Sequence, residues 1–190
     1  MAADPSVPAS PVRLRPVGPD DLLAFRRWAE DPEVARHYLG GEWAAPDTWV
    51  PELRPGGERL PEWACRRVLR AIEAEGGELV GWVELRDLNW RRRSGELTVC
   101  LGLTSRWGQG LGTAAIGLLL AEAFDAHGLQ SVHLRVATGN IRALRAYRKL
   151  GFRPLGRLRA DRRRPAGGEE IWLMVLSADR WRRLLRGEGG

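Results

Sequence analysis

The chain has 190 residues, 44% of them apolar and 28% charged, with a formal net charge of +6. That length predicts one domain with room for a proper core, and the balance is that of an ordinary soluble protein. No apolar run approaches the roughly 18 residues of a membrane span. The opening MAADPSVPASP is polar and proline-rich and has no basic-then-apolar order, so it reads as a disordered tail over 1–11 rather than a signal peptide. Two cysteines, Cys65 and Cys100, make neither a disulfide framework nor a metal cluster. The expectation is a cytoplasmic protein that needs no metal.

The positive surplus raises a nucleic-acid reading, in which affinity would fall steeply with salt. Lys149 is the only lysine, however, and the arginines cluster at 91–93, 157–164 and 180–186. These runs read as solvated faces and loops, or as attraction for an anionic ligand such as a phosphate-bearing cofactor.

Taken in order, Val12 to Val17 alternates apolar and basic residues and predicts a strand. Gly18-Pro19-Asp20-Asp21 stops it and opens a helix, with proline in the first turn and acids at the positive end of the dipole. Asp31-Pro32 ends that helix, and a short second one is expected from Pro32 through Val34 to Tyr38. Residues 40–61 carry four prolines and read as a long loop, in which Trp43 and Trp49 are satellite core or a ligand wall. Glu42, Asp47 and Glu52 beside the two indoles would suit a cationic acceptor. A hairpin is expected around Gly76-Gly77, with arms at 68–73 and 79–85, although Trp63, Val68, Leu69 and Ile72 also fit helical spacing. An exposed turn over 87–94 then leads into a buried strand, 96–103.

Residues 111–127 predict a largely apolar helix, 131–137 a strand, and 140–150 a helix with Gly151 in a left-handed cap. Residues 152–158 and 170–176 read as a final antiparallel pair, and 181–185 as a short terminal helix. Strands, a βαβα unit and strands again define an α/β or α+β domain over 12–178, with 179–190 as a helix or tail.

Gly108, Gly110 and Gly112 lie between a strand and a helix, where backbone N–H groups meet the positive end of a helix dipole. Such a turn cradles phosphate, or serves a tight turn alone. A P-loop would need a lysine after the last glycine, and Thr113 stands there instead. A dinucleotide fingerprint would need an acid about 20 residues on, at the end of the next strand. After Asp125 the next acid is Asp161.

WGQGLGTAA ahead of a long apolar helix resembles the acetyl-CoA pyrophosphate loop of the GNAT superfamily of N-acetyltransferases. Asn140-x-x-Ala143-x-x-x-Tyr147-x-x-x-Gly151-Phe152 resembles that superfamily's second motif at every spacing. Trp107 replaces the usual Gln or Arg, which, with the opening VRLRPVGPDDL, Trp28 and DPEV, is similar to the RimJ/RimL-like branch. The likeness spans roughly 12–178. It implies a mixed, mostly antiparallel sheet of six to seven strands flanked by about four helices.

It also implies direct acetyl transfer from acetyl-CoA to a primary amine: a protein N-terminus, or a small cation such as an aminoglycoside or polyamine. The alternative is an acyl-CoA-binding regulatory module of the same fold without turnover. By the same resemblance the amides of Gln109 to Thr113, with Trp107, Gly108, Gly110, Leu111 and Gly112, would hold the pyrophosphate. The strand edge Cys100, Leu101, Gly102 and Leu103 would pair with the pantetheine arm, and one N–H there would polarise the thioester carbonyl. Asn140 and Ala143 would line that arm, with Asn140 also a natural helix cap. Tyr147 would protonate the leaving thiolate or else sit in the core.

A lysine-like amine of pKa about 10.4 is neutral about once in 2,500 molecules at pH 7, a cost of roughly 4.6 kcal/mol, against about 1.4 for an α-amine near pKa 8. A side-chain or polyamine acceptor therefore has the greater need of a base. Glu96 is the first candidate, Glu84 the second and His133 a weaker third, each with a plain strand role as the alternative. His37 would line the acceptor site. Cys100 has no base paired with it and reads as a buried strand cysteine. Expected partners are the amine, no membrane and no nucleic acid, with a homodimer left open.

Overall fold

The computed structural model describes residues 10–37, 66–158 and 170–188. The 40–61 loop with Trp43 and Trp49, most of the N-terminal tail, and the arginine-rich connection after 158 lie outside them. The elements in order are β1 (Val12–Pro16), α1 (Pro19–Glu30), α2 (Pro32–His37), β2 (Val68–Ala74), β3 (Leu79–Asn89), β4 (Ser94–Leu101), α3 (Leu111–Ala121), β5 (Ser131–Ala137), α4 (Ile141–Lys149), β6 (Arg153–Leu158), β7 (Ile171–Ser177) and α5 (Ala178–Leu185). The seven strands form one sheet in the order β1-β2-β3-β4-β5-β7-β6. Every pairing is antiparallel except β4 with β5. The mixed, mostly antiparallel α/β architecture is the one expected.

Strand alternation sends side chains to two opposite faces. One face carries Val83, Leu85, Leu97, Val132, Leu134, Met174 and Leu176, buried under Ile116, Leu119 and Leu120 of α3 and Leu144 of α4. The other carries Trp82 and Cys100 against Phe25, Trp28 and Val34 of α1 and α2. Gly102 owes its identity to this second core, since an added Cβ would fall 1.8 Å from the Trp28 ring. At the start of α1 the Asp21 carboxylate accepts from the Gly18 N–H at 2.7 Å and from both Arg15 terminal nitrogens at 2.6 and 2.7 Å.

Four boundaries differ from expectation. β3 runs on to Asn89, because Leu88 is buried and lies over Gly95, shortening the exposed turn. β4 begins at Ser94 and ends at Leu101, so Gly102 and Leu103 are outside it. The helix expected over 111–127 changes to a π-helical turn over Glu122–Ala126. There the Glu122 carboxylate is engaged by Arg70 and, at 3.2 Å, by His127 Nε2. Lastly, α5 starts at Ala178 and buries Trp181 (7% exposed) against Phe124, so this helix is part of the core.

Candidate functional site

The site is a gap in the sheet. β4 and β5 pair in register only at Ser94–Ser131, Gly95–Val132 and Glu96–His133, after which the parallel strands diverge. β4 stays paired with β3 as far as Leu101–Gly81, and Gly102 donates its N–H to the Val80 carbonyl at 2.9 Å. Because backbone polar groups alternate sides along a strand, those of Val99 and Leu101 point into the gap. The Leu101 carbonyl is capped there by Trp107 Nε1 at 2.9 Å.

The gap opens into a cleft of about 530 Å³ that draws walls from both faces of the sheet. Its floor is Val99, Cys100 and Leu101; one side is Trp107, Gly108, Gly110, Leu111, Gly112 and Thr113, with Ile116 behind. The other side is α4, with Asn140, Ala143 and Tyr147 inward and Arg142, Arg145 and Lys149 outward. Val34 and His37 of α2 close the end nearest the second core.

The glycine turn has the geometry phosphate needs. Gly108 and Gly110 both adopt φ +81°, a left-handed conformation in which a side chain is strained. Gly110 is the N-cap of α3 and offers no side-chain cap, so the first N–H groups of the helix are free to meet an anion. Asn140 uses its Oδ1 to accept from the Ala143 N–H at 3.1 Å, the capping role, while lining the cleft. The first turns of α3 and α4 contain no acid.

Tyr147 is 7% exposed, stacks edge-on to Phe152 at 5.9 Å and has its phenol pushed up to about 12 by burial. Cys100, a thiol in the same cleft, is pushed up to about 12 by the same loss of solvent. It has no base beside it and serves as packing.

Three residues expected to touch a cofactor do not line the cleft. Gly102 gives its N–H to Val80 and its surface to Trp28, and Leu103 packs into the two cores. Gln109 turns its amide back to the Ser105 carbonyl at 3.2 Å. The carboxylates expected as candidate bases do not line the cleft either. Glu84 and Glu96 stand on the α1–α2 face, in line with Trp82 and Cys100. Glu96 is 6% exposed and accepts from Arg135 at 2.8 and 3.3 Å and from Arg86 at 3.0 Å. Burial works against its charge, but the two guanidinium groups outweigh burial and hold its pKa below the usual carboxylate range. A carboxylate held in this way accepts a proton less readily than a free one. Glu84 is 3% exposed and its pKa is raised by burial, against the pull of Arg67 at 3.2 Å. His133 is half-buried in β5. Val99, Ile116 and the outer cations of α4 are lining residues that motif reasoning missed. An acid-free helix reading RALRAYRK was the available signal for the last of these.

Among the described residues no group of three or more His, Cys, Asp or Glu is placed to hold a metal, and no helix is long and apolar enough to cross a membrane. A phosphate turn, an unpaired strand edge and a buried phenol converging on one cleft define an acyl-transfer site for a long phosphorylated thioester. Residues 12–153 match the acetyltransferase (GNAT) domain family, and the chain belongs to it: it is an N-acetyltransferase that takes its acetyl group from acetyl-CoA. Spermidine N(1)-acetyltransferase of Escherichia coli K12 is 28% identical over 154 residues, covering 79% of this chain and 77% of that protein. The structure of spermidine N-acetyltransferase from Vibrio cholerae with CoA and spermine superimposes with a TM-score of 0.77 at 19% identity, over 91% of this chain and 99% of that one. A dodecameric structure of the Vibrio cholerae enzyme gives 0.72 at 19% identity, over 94% and 99%.

Proposed function

We propose that this chain acetylates a primary amine of a polyamine such as spermidine or spermine. The likeness to the Escherichia coli spermidine enzyme over most of both chains carries that reading. A polyamine has the strongly basic amine that makes deprotonation expensive, about 4.6 kcal/mol at pH 7.

When bound, acetyl-CoA supplies an activated acyl group. The amides at the start of α3 hold its pyrophosphate, and the gap-side backbone groups of Val99 and Leu101 pair with its extended arm as an added strand would. One of those N–H groups is the donor for the thioester oxygen. Tyr147 stays protonated at any physiological pH and gives its proton or hydrogen bond to the departing sulfur. Of the two carboxylates, Glu84 has its pKa raised by burial, and Glu96 organises Arg86 and Arg135. His37 borders the acceptor end of the cleft.

The finer family placement is the RimJ/RimL-like branch, supported by Trp107 in the first motif. The domain spans 12–178, and α5, which follows, carries Trp181 into the core. The protein acts in the cytoplasm and self-associates, as the dodecameric Vibrio cholerae relative does. The test is thiol release from acetyl-CoA against spermidine, spermine, N-terminal peptides and aminoglycosides. Polyamines are the fastest acceptors on this reading; acetylation of peptides alone would refute it.

A further inference from the structure

The cleft has a row of cations that the phosphate turn does not need. Arg142, Arg145 and Lys149 fall within about 60° of one another around α4 and run along about 10 Å of its length. All three line the cleft. Several arginines elsewhere in the fold are tied to acids: Arg15 to Asp21 and Glu73, Arg70 to Glu122, Arg86 and Arg135 to Glu96, and Arg106 to Glu78. The row on α4 has no such tie. Among the described residues no carboxylate pairs with Arg145 or Lys149, and α4 itself contains no acid. Three cations side by side with no acid partner among the described residues repel one another, and an arrangement of that kind is stabilised by a multivalent anion.

Arg142 is additionally aimed. Its guanidinium lies over the Trp107 ring at 4.0 Å, reaching across the mouth of the cleft. Trp107 is itself fixed, by its Nε1 bond to the Leu101 carbonyl and by an edge contact with His37 at 5.5 Å. An indole gives no charge to a phosphate, but it holds a flat cation on its face. Trp107 therefore occupies a motif position usually held by Gln or Arg and steers a charge supplied from the opposite wall.

We propose that Arg142, Arg145 and Lys149 form a second phosphate site at the cleft mouth, Arg142 closing over the pyrophosphate and Arg145 with Lys149 binding the 3′-phosphate of the adenosine. This inference rests on the acetyl-CoA reading and extends it to the part of the molecule that distinguishes CoA from its 3′-dephospho form. Each charge-assisted contact of this type is worth roughly a ten- to hundredfold change in affinity. Arg148 provides an internal control, since it lies on the same helix but off the cleft wall.

The experiment is calorimetric titration of CoA and 3′-dephospho-CoA at fixed ionic strength. Wild type should bind CoA roughly ten- to hundredfold more tightly than dephospho-CoA. The double variant Arg145→Ala, Lys149→Ala should lose that preference while keeping the wild-type affinity for dephospho-CoA. Arg142→Ala should weaken both ligands alike, because both carry the pyrophosphate, and Arg148→Ala should keep the full preference. Equal binding of the two ligands by wild type, a preference surviving in the double variant, or an equal loss in Arg148→Ala overturns the assignment and leaves the acetyl-CoA site standing. Failure of wild type to bind either ligand would remove both.

Discussion

Strand β5 pairs with β7 over seven residues, from Ser131–Ser177 to Ala137–Ile171, and with β4 over only three. On the β7 side the backbone is hydrogen-bonded along its whole length. On the β4 side the same strand leaves an interior edge open. Buried backbone groups without partners are costly, so an opening of this kind persists only where something else meets them. Part of the demand is met by the Trp107 indole on the Leu101 carbonyl; the remainder is a template for an extended amide-bearing ligand. The closed side supplies rigidity and the open side supplies the site. α4 joins the two, since its buried residues pack in the main core and its outer row faces the cleft.

That comparison can be broken from the open side first. Tyr147→Phe should lower kcat by about a hundred- to a thousandfold with little change in the acetyl-CoA KM, because only proton donation to the leaving sulfur is removed. Steady-state thiol release checks it. On the closed side, Trp181→Ala should cost about 3 kcal/mol in urea unfolding, from a large buried ring next to Phe124. Its effect on KM should be small while the protein remains folded. α5 also holds the end of α4 through Arg180 Nε, which donates to the Gly151 carbonyl at 2.7 Å.

The carboxylates on the α1–α2 face make a subtler contrast. Glu96→Gln leaves Arg86 and Arg135 without their anion and should cost about 2 kcal/mol. Glu84→Gln removes a charge that burial already disfavours and should change stability by less than about 1 kcal/mol at pH 7. The pH dependence separates them further. Asp21, Glu73 and Glu96 have lowered folded-state pKa values, so their contribution is full above the unfolded values near 4 and is lost as pH falls through the lowered ones. Glu84, with its pKa raised, acts in the opposite sense and favours the folded state as it takes up a proton. Acid unfolding of the Glu96→Gln variant should therefore be shallower than that of wild type, and that of Glu84→Gln steeper.

Much of this was legible in the sequence for local reasons. Glycine spacing, the Asn140-to-Phe152 pattern and the alternation in β1 are short-range signals, and the elements they predict are present. What was not legible depends on long-range pairing. The divergence of β4 from β5 is set by register across the sheet, so Val99 could not be distinguished from its neighbours as a floor residue. Gly102 looks like a cofactor glycine until Trp28, 74 positions earlier, is packed against it. Glu96 looks like a lone strand-start carboxylate until Arg135 arrives from β5. In each case the residue type was right for a role, and a distant partner decided which role it has.

The central claim is that the gap between β4 and β5 is where the acyl donor lies. Amide hydrogen exchange with and without CoA tests it directly, residue by residue. The account predicts slowed exchange at Val99 and Leu101 and over 109–113, with the already paired amides of β5 facing β7 little changed. Protection confined to other segments, with the gap-side amides of β4 exchanging as fast as in the free protein, would contradict it.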